Sequence, residues 1–119
     1  MKYICLIYSS EAEYANLSEE EQNGVFGAYM AYNQTIENDG VAAGMAESLQ
    51  PTGTATTVRV RDGKTLTSDG PFAETKEQLG GFYILDCEDI DQAIKYAAMI
   101  PTASQGCVEI RPLMVFDFD

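Results

Sequence analysis

The sequence predicts one mixed α+β domain, and three observations support that prediction. Two short β-prone runs, 3–8 and 82–87, carry apolar side chains on both faces, which is typical of strands in the middle of a covered sheet. Two longer segments, 18–39 and 89–100, have helical periodicity and begin with capping sequences. The chain has 119 residues, within the usual size of one domain. We therefore assign residues 1–119 to a single domain.

The charge balance limits the class of partner. Nineteen acidic residues against seven basic ones give a formal net charge of −12. Binding to nucleic acid depends on neutralising phosphates with Lys and Arg, and anionic membranes attract basic segments, so both partners are excluded. The acidity itself indicates solubility, with a cationic ligand or a basic partner as the alternative.

The cysteines and the amino terminus indicate a reducing compartment. Cys5, Cys87 and Cys107 are odd in number and lie in predicted strands, and the chain has no His and no CxxC pattern. We expect three buried, reduced thiols, no metal site and no cofactor. The apolar run after Lys2 is too short for a signal peptide, and no segment is long enough to cross a membrane. The expected location is the cytoplasm.

The first part of the chain predicts a central strand and a long helix. The strand is Tyr3–Tyr8, and the helix is Ser18–Asp39, where Ser18 and Glu21 form a capping-box pattern. The predicted inner stripe of this helix is Phe26, Tyr29, Met30, Asn33 and Ile36. Gly24 and Gly27 indicate either close approach by a neighbour or simply a weaker helix.

The middle of the chain predicts strands of lower hydrophobicity. Val41–Leu49 is a weak extended stretch, and Thr56–Arg61 alternates as a half-exposed strand does, with two valines on one face. The dipeptide Asp62-Gly63 predicts a hairpin turn that returns through Thr65–Thr67.

The second half predicts a strand, a helix and a strand. Phe82–Cys87 should lie beside the first strand, and Cys107–Val115 should close the sheet. Between them Asp89–Ile100 is a helix that Asp89 and Gln92 cap and Pro101 ends. Its predicted stripe is Ile90, Ala93, Ile94, Ala97 and Ala98.

This order of elements predicts a ferredoxin-like βαββαβ arrangement with an extra β-hairpin, in which both helices cover one face of an antiparallel sheet. The opposite face would expose Ile4, Leu6 and Tyr8, each worth roughly 1.5–3 kcal/mol when buried. A second copy related by a two-fold axis would cover it, so we expect a homodimer through the open sheet face, a dimeric α+β barrel. The alternative is that the loops 49–56 and 70–80 fold over this face.

The segment 69–81 is dense in residues that shape the backbone. Gly70 permits a backbone conformation that other residues resist, and Pro71 fixes the next φ angle. Asp69 can accept hydrogen bonds from turn amides, and Phe72 can anchor the turn in the core. Gly80 and Gly81 would let the chain enter the central strand closely. A rigid structural turn is one interpretation, and a functional loop is the other.

The string Asp69-Gly70-Pro71-Phe72, continuing as Ala73-Glu74-Thr75-Lys76-Glu77 and Gly80-Gly81-Phe82-Tyr83, resembles the DGPF-domain branch of the YCII-related proteins. The opening Lys2-Tyr3-Ile4, the Ala93-containing helix before Pro101 and the closing Val108-Glu109-Ile110-Arg111-Pro112 are similar to that family too. The resemblance implies the ferredoxin-like fold and the dimeric barrel, but no settled activity; some members are encoded beside extracytoplasmic-function sigma factors. Other branches are associated with a His-Asp pair, which a chain without His does not have.

The candidate site consists of polar groups beside the apolar sheet. We predict ligand-binding roles for Tyr8, Asp69, Phe72, Glu74, Lys76, Glu109 and Arg111, with Glu77 as a further loop carboxylate. Arg111 could clamp a carboxylate or another planar anion, or it could pair with Glu109. Asp69 is a weak catalytic candidate as a general base, or it caps the turn. Lys76 either pairs with Glu77 or Asp69 or is solvated.

Three classes of function are consistent with the sequence. The first is a small-molecule-binding or accessory protein without turnover. The second is a cofactor-independent enzyme acting on a small aromatic or lactone-like metabolite, an idea that rests on fold analogy and that the missing His weakens. The third is an interaction subunit linked to sigma-factor signalling.

Overall fold

The computed structural model describes residues 1–117 and confirms the mixed α+β class, with antiparallel sheets and three α-helices. The elements in chain order are β1 (Lys2–Ser9), α1 (Glu11–Ala15), α2 (Glu19–Asn38), β2 (Ala42–Ser48), β3 (Thr56–Arg61), β4 (Lys64–Asp69), β5 (Gln78–Asp86), α3 (Ile90–Ala97) and β6 (Cys107–Pro112), with short 3₁₀ helices at Thr52–Thr54 and Pro101–Ser104. Within residues 1–117, no helix is both long enough and apolar enough to span a membrane.

Four strands form the main sheet in the order β2-β5-β1-β6, so the two apolar runs are its central strands, as predicted. Every neighbouring pair is antiparallel. The register shifts after Ile7, because Tyr8 pairs with Leu79 and Gly80 is left as the extra residue of a bulge. A second irregularity interrupts β2 between Ala42 and Ala46, where Gly44 has a φ of 106°.

The hydrophobic core lies on one face of this sheet, and both long helices contribute to it. Its strand residues are Tyr3, Cys5, Ile7, Tyr83 and Leu85, and its helix residues are Tyr32, Ile36, Ala93, Tyr96 and Ala97. Every buried side-chain oxygen and nitrogen in the described chain has a hydrogen-bond partner. The Tyr32 hydroxyl, for example, donates to the carbonyl oxygen of Tyr96 at 3.0 Å, and its ring meets the Tyr83 ring edge-on at 5.0 Å.

The inner stripe predicted for the first long helix is wrong in part. The capping box at Ser18 and Glu21 is confirmed, but Phe26 and Met30 are 68% and 54% exposed. Tyr32 is buried instead, because its hydroxyl finds a backbone acceptor across the core. Adding a Cβ at Gly24 or Gly27 would meet no atom within 4 Å, so no part of the described chain approaches these glycines closely.

The helix α3 is shorter than predicted, and the face that it buries differs from the predicted stripe. Asp89 caps it by accepting from the Gln92 amide at 2.9 Å, and the Gln92 side chain accepts from Glu88 rather than from Asp89. Its last turn tightens before the 3₁₀ helix at Pro101–Ser104. Tyr96 points inward, whereas Ile90 and Ile94 are 44% and 51% exposed. Ala98 is exposed too, so these three positions of the predicted stripe are wrong, while Ala93 and Ala97 are buried as predicted.

The hairpin β3–β4 is a separate two-stranded sheet. Asp62 and Gly63 both have positive φ, 51° and 73°, which is the turn that the Asp-Gly pair predicts. The predicted half-burial of its valine face is wrong: Val58 and Val60 are 59% and 61% exposed. The reason is that the hairpin leaves the main sheet, and no other element of the described chain covers it.

Two expectations about the last strand also need correction. Cys107 is exposed, unlike the buried Cys5 and Cys87, because it begins an edge strand on the side of the sheet away from the core. The strand β6 ends at Pro112 rather than at Val115, although the Leu113 amide still donates to Lys2 O at 2.9 Å.

The molecule is flat. Its principal extents are 52 × 48 × 19 Å, and the smallest corresponds to one sheet with one helical layer. The radius of gyration is 16.6 Å, against about 13.5 Å for a compact domain of this length. The described residues therefore leave the second face of the main sheet without a covering layer.

Candidate functional site

The uncovered face of the main sheet, which we call the open face, has an apolar centre between charged edges. One row across the four strands reads Glu47, Phe82, Leu6 and Glu109, since residues paired across antiparallel strands point to the same side. The next row on the same face contains Ile84, Ile4 and Arg111. The apolar side chains in both rows are partly exposed, and the charged ones are exposed.

The guanidinium of Arg111 is available for a ligand. It lies on the edge strand opposite Ile4, and it forms no ion pair with any residue in 1–117. The alternative in which Arg111 pairs with Glu109 is therefore absent from the described chain. A planar guanidinium at the border of an apolar surface suits an anion that also carries an apolar body.

The turn at Asp69-Gly70 is held by residues outside the motif. The Gly70 amide, at a φ of 93°, donates to Ala55 O at 2.7 Å, and Thr57 Oγ1 donates to Gly70 O at 2.8 Å. The Asp69 carboxylate accepts no hydrogen bond from the described residues, so its expected capping role is not observed. Phe72 is 81% exposed, and the expectation that it anchors the turn in the core is wrong.

The loop that follows is tied down by Gln78 and Glu11, two residues that the sequence did not single out. Gln78 Nε2 donates to Thr75 O at 2.5 Å, and Gln78 Oε1 accepts from the Glu11 amide at 2.9 Å. The Glu11 carboxylate accepts from the amide and the hydroxyl of Thr52, both at 2.9 Å. Lys76 forms no ion pair in residues 1–117, in agreement with the solvated alternative.

Two glycines let strands approach closely at this end of the sheet. A Cβ at Gly81 in β5 would lie 2.7 Å from Glu47 O in β2. This agrees with the prediction that a glycine here lets the chain pass close to its neighbours as it enters the central strand. A Cβ at Gly106 would lie 2.0 Å from Tyr8 O. No local pattern marks Gly106, because the need for a glycine there arises from β1, which is distant in the chain.

The seven predicted site residues separate into two groups. Tyr8, Glu109 and Arg111 border the open face, whereas Asp69, Phe72, Glu74 and Lys76 belong to the exposed hairpin end and loop. The loop meets β6 at its beginning, where Cys107 Sγ lies 3.9 Å from Glu77 Oε1. Arg111 is four residues further along, or about 13 Å at ~3.3 Å per residue. A site shared by both groups stays a prediction.

Two clefts in the described chain contain none of these seven residues. One, of about 290 Å³, lies beside the unpredicted helix α1 and is lined by Ser9, Ser10, Glu13, Tyr14, Leu17, Val25, Thr102 and Gln105. The other, of about 370 Å³, is lined by Met1, Asp39, Gly40, Val41, Asp86, Cys87, Glu88 and Gln92. No group of three or more His, Cys, Asp or Glu side chains within residues 1–117 is placed to hold a metal ion.

The thiols are poor nucleophiles in this environment. Burial, and then the neighbouring Cys87, raises the pKa of Cys5 to about 11. Desolvation, followed by the negative charges of Glu77 and Glu109, raises the pKa of Cys107. Because only the thiolate attacks, neither group is activated at neutral pH. Neither Cys5 in the core nor Cys107 beside the open face is therefore an activated thiol.

Comparison with known proteins assigns the family. The chain is 39% identical over 118 residues to "Uncharacterized protein R00369" of Rhizobium meliloti (strain 1021), an alignment that spans 98% of this chain and 94% of the relative. The profile of the YCII-related domain matches residues 1–117. The chain thus belongs to the YCII-related domain family.

Proposed function

We propose that this chain is a small-molecule-binding protein of the DGPF branch, which dimerises through its open face and holds an anionic ligand at the edge of that interface. The observation that carries the proposal is the apolar open face bordered by Arg111, whose guanidinium forms no ion pair within residues 1–117. The strand order β2-β5-β1-β6, with both long helices contributing to one core, supports a ferredoxin-like arrangement.

The apolar centre of the open face supports dimerisation. Ile4, Leu6, Phe82 and Ile84 are contiguous across two central strands and only partly covered. Removing their remaining surface from water yields roughly 25 cal/mol per Å². An identical face offers an apolar surface of the same size, and a two-fold axis would place the two centres against each other.

The chemistry around Arg111 supports binding of a carboxylate with an aromatic or apolar body. The guanidinium supplies two parallel donors for a carboxylate, and Tyr8 and Phe82 supply aromatic surface on the same side of the sheet. Turnover is less well supported than binding, because the chain has no His and the thiol pKa values are raised.

Sedimentation and thermal melting test this proposal together. We expect the wild type to sediment as a dimer, and Leu6→Glu to sediment as a monomer that keeps the circular dichroism of the folded chain. We expect benzoate, as the first of a panel of small aromatic carboxylates, to raise the melting temperature. Ligand at 100 times its dissociation constant stabilises by about 2.7 kcal/mol.

Arg111→Gln should abolish this shift, and Lys95→Gln is the control, because it removes one exposed positive charge from α3. A monomeric wild type, or a carboxylate shift that Arg111→Gln leaves intact, would overturn the proposal. Consumption of a stabilising ligand would instead favour the enzyme, and co-purification of an unlike protein would favour the interaction subunit.

A further inference from the structure

The hairpin β3–β4, residues 56–69, projects as an arm with apolar groups on both faces. Val58 and Val60 share one face, and Leu66 lies on the other, opposite Arg59. Their exposed fractions are 59%, 61% and 50%. A two-stranded hairpin is marginally stable by itself in water, so an arm of this kind gains stability from a partner that covers it.

The arm differs in charge from the rest of the chain. It contains three of the seven basic residues, Arg59, Arg61 and Lys64, but only two of the 19 acids, Asp62 and Asp69. Subtracting these leaves four basic and 17 acidic residues for the remainder of the chain, which we call the body. The arm is therefore slightly basic and the body strongly acidic.

The basic groups of the arm are not used within the described chain. Arg59, Arg61 and Lys64 form no ion pair with residues 1–117. The Arg61 guanidinium donates only to the carbonyl oxygen of the neighbouring Val60, at 3.0 Å. Arg59, Arg61 and Lys64 share one face of the arm with Leu66, and the two valines lie on the opposite face.

We propose that the arm docks on the acidic body of a second copy of this chain. The argument for a second copy as the partner is charge complementarity, because the body of every other copy contains 17 acids. Four of them are exposed in the first turns of α1 and α2, namely Glu13, Glu19, Glu20 and Glu21. The inference rests on the proposed homodimer and adds to it a contact outside the open face. The association should weaken as salt screens the charges, in addition to its apolar component.

The first test identifies the surface that the arm touches. Chains with natural nitrogen are mixed with ¹⁵N-labelled chains, allowed to exchange, and treated with a carbodiimide, which joins an amine to a carboxylate only at contact distance. We expect cross-links between Lys64 and body carboxylates in which one peptide is ¹⁵N-labelled and the other has natural nitrogen. The Lys64→Arg variant should form none of them. Lys64 cross-links confined to a single chain would overturn the proposal.

The second test measures the dimer dissociation constant by sedimentation. Arg59→Glu/Arg61→Glu should raise the dissociation constant roughly tenfold or more, since the attraction of two arginines to the acidic body of the second copy becomes repulsion. Lys76→Glu/Lys95→Glu makes the same change in net charge outside the arm and should alter it less than threefold. Val58→Thr/Val60→Thr replaces two exposed apolar side chains by threonine, which also favours strands, and should weaken the dimer too.

The outcomes distinguish this inference from the proposed function. A dimer that the arm variants and the body control weaken equally would refute the arm contact, while the open-face homodimer would stand. A dimer that neither arm variant weakens would also refute it. A monomeric wild type would overturn both proposals.

Discussion

Gly106 offers the sharpest test of the packing between β1 and β6. A Cβ at this position would lie 2.0 Å from the carbonyl oxygen of Tyr8 and 3.1 Å from the Cα of Ser9. Both are backbone atoms in the strand that Cys107 pairs with, so no side chain can rotate to make room. Gly106→Ala must push the two strands apart by more than 1 Å. We expect it to lower the free energy of unfolding by about 3 kcal/mol, at the upper end of overpacking costs.

Gly24→Ala is the matched control, because it adds the same methyl group inside α2, where it would meet no atom within 4 Å other than the backbone of its own helix. Alanine is the better helix former, so this variant should gain about 0.5–1 kcal/mol. Urea unfolding followed by circular dichroism, at one protein concentration for all variants, measures both. The reasoning would be refuted if Gly106→Ala lay within about 0.5 kcal/mol of the wild type at unchanged m-value.

Two further predictions concern ionisable groups. The Ser18 amide and, after it, the Ser18 hydroxyl lower the pKa of Glu21. Ser18→Ala keeps the amide but removes the hydroxyl that accepts from the Glu21 amide, so the Glu21 pKa should rise toward its ordinary value without reaching it, as measured by NMR titration, and the melting temperature should fall by about 3 °C. The capping stabilisation is present at neutral pH and is lost as pH falls through the lowered pKa, and an unchanged Glu21 titration would contradict this. Native protein should react with a thiol reagent at Cys107 alone, because Cys5 and Cys87 are buried. Glu77→Gln should accelerate that reaction severalfold, since removing the Glu77 charge lowers the pKa of the Cys107 thiol. Equal acceleration by Glu74→Gln would contradict the contact between Cys107 and Glu77.

The elements that depend on local chemistry could be predicted from the sequence. The capping box placed the start of α2, the Asp-Gly pair placed the hairpin turn, and the two apolar runs identified the central strands. Each of these signals lies within a few residues of the structure that it specifies. The short helix α1 escaped prediction because five residues carry no complete period.

The features that depend on distant contacts could not be predicted in the same way. Tyr32 is buried because its hydroxyl reaches a carbonyl on α3, 64 residues away in sequence. Phe72 and Val58 look like core residues by composition, yet they belong to segments that leave the main sheet. The candidate site shares this difficulty, because the relation of Arg111 to the loop at Asp69 depends on strand order and on any second copy.

The interruption of β2 affects how chains can associate. β2 is one border of the main sheet, and its ladder breaks between Ala42 and Ala46 around Gly44, while the opposite border ends at Pro112. Fibril growth by strand addition needs a long, regular row of free amides and carbonyls at a border. Neither border provides one over its full length. The geometry therefore disfavours open-ended polymerisation by strand addition at either border of the main sheet.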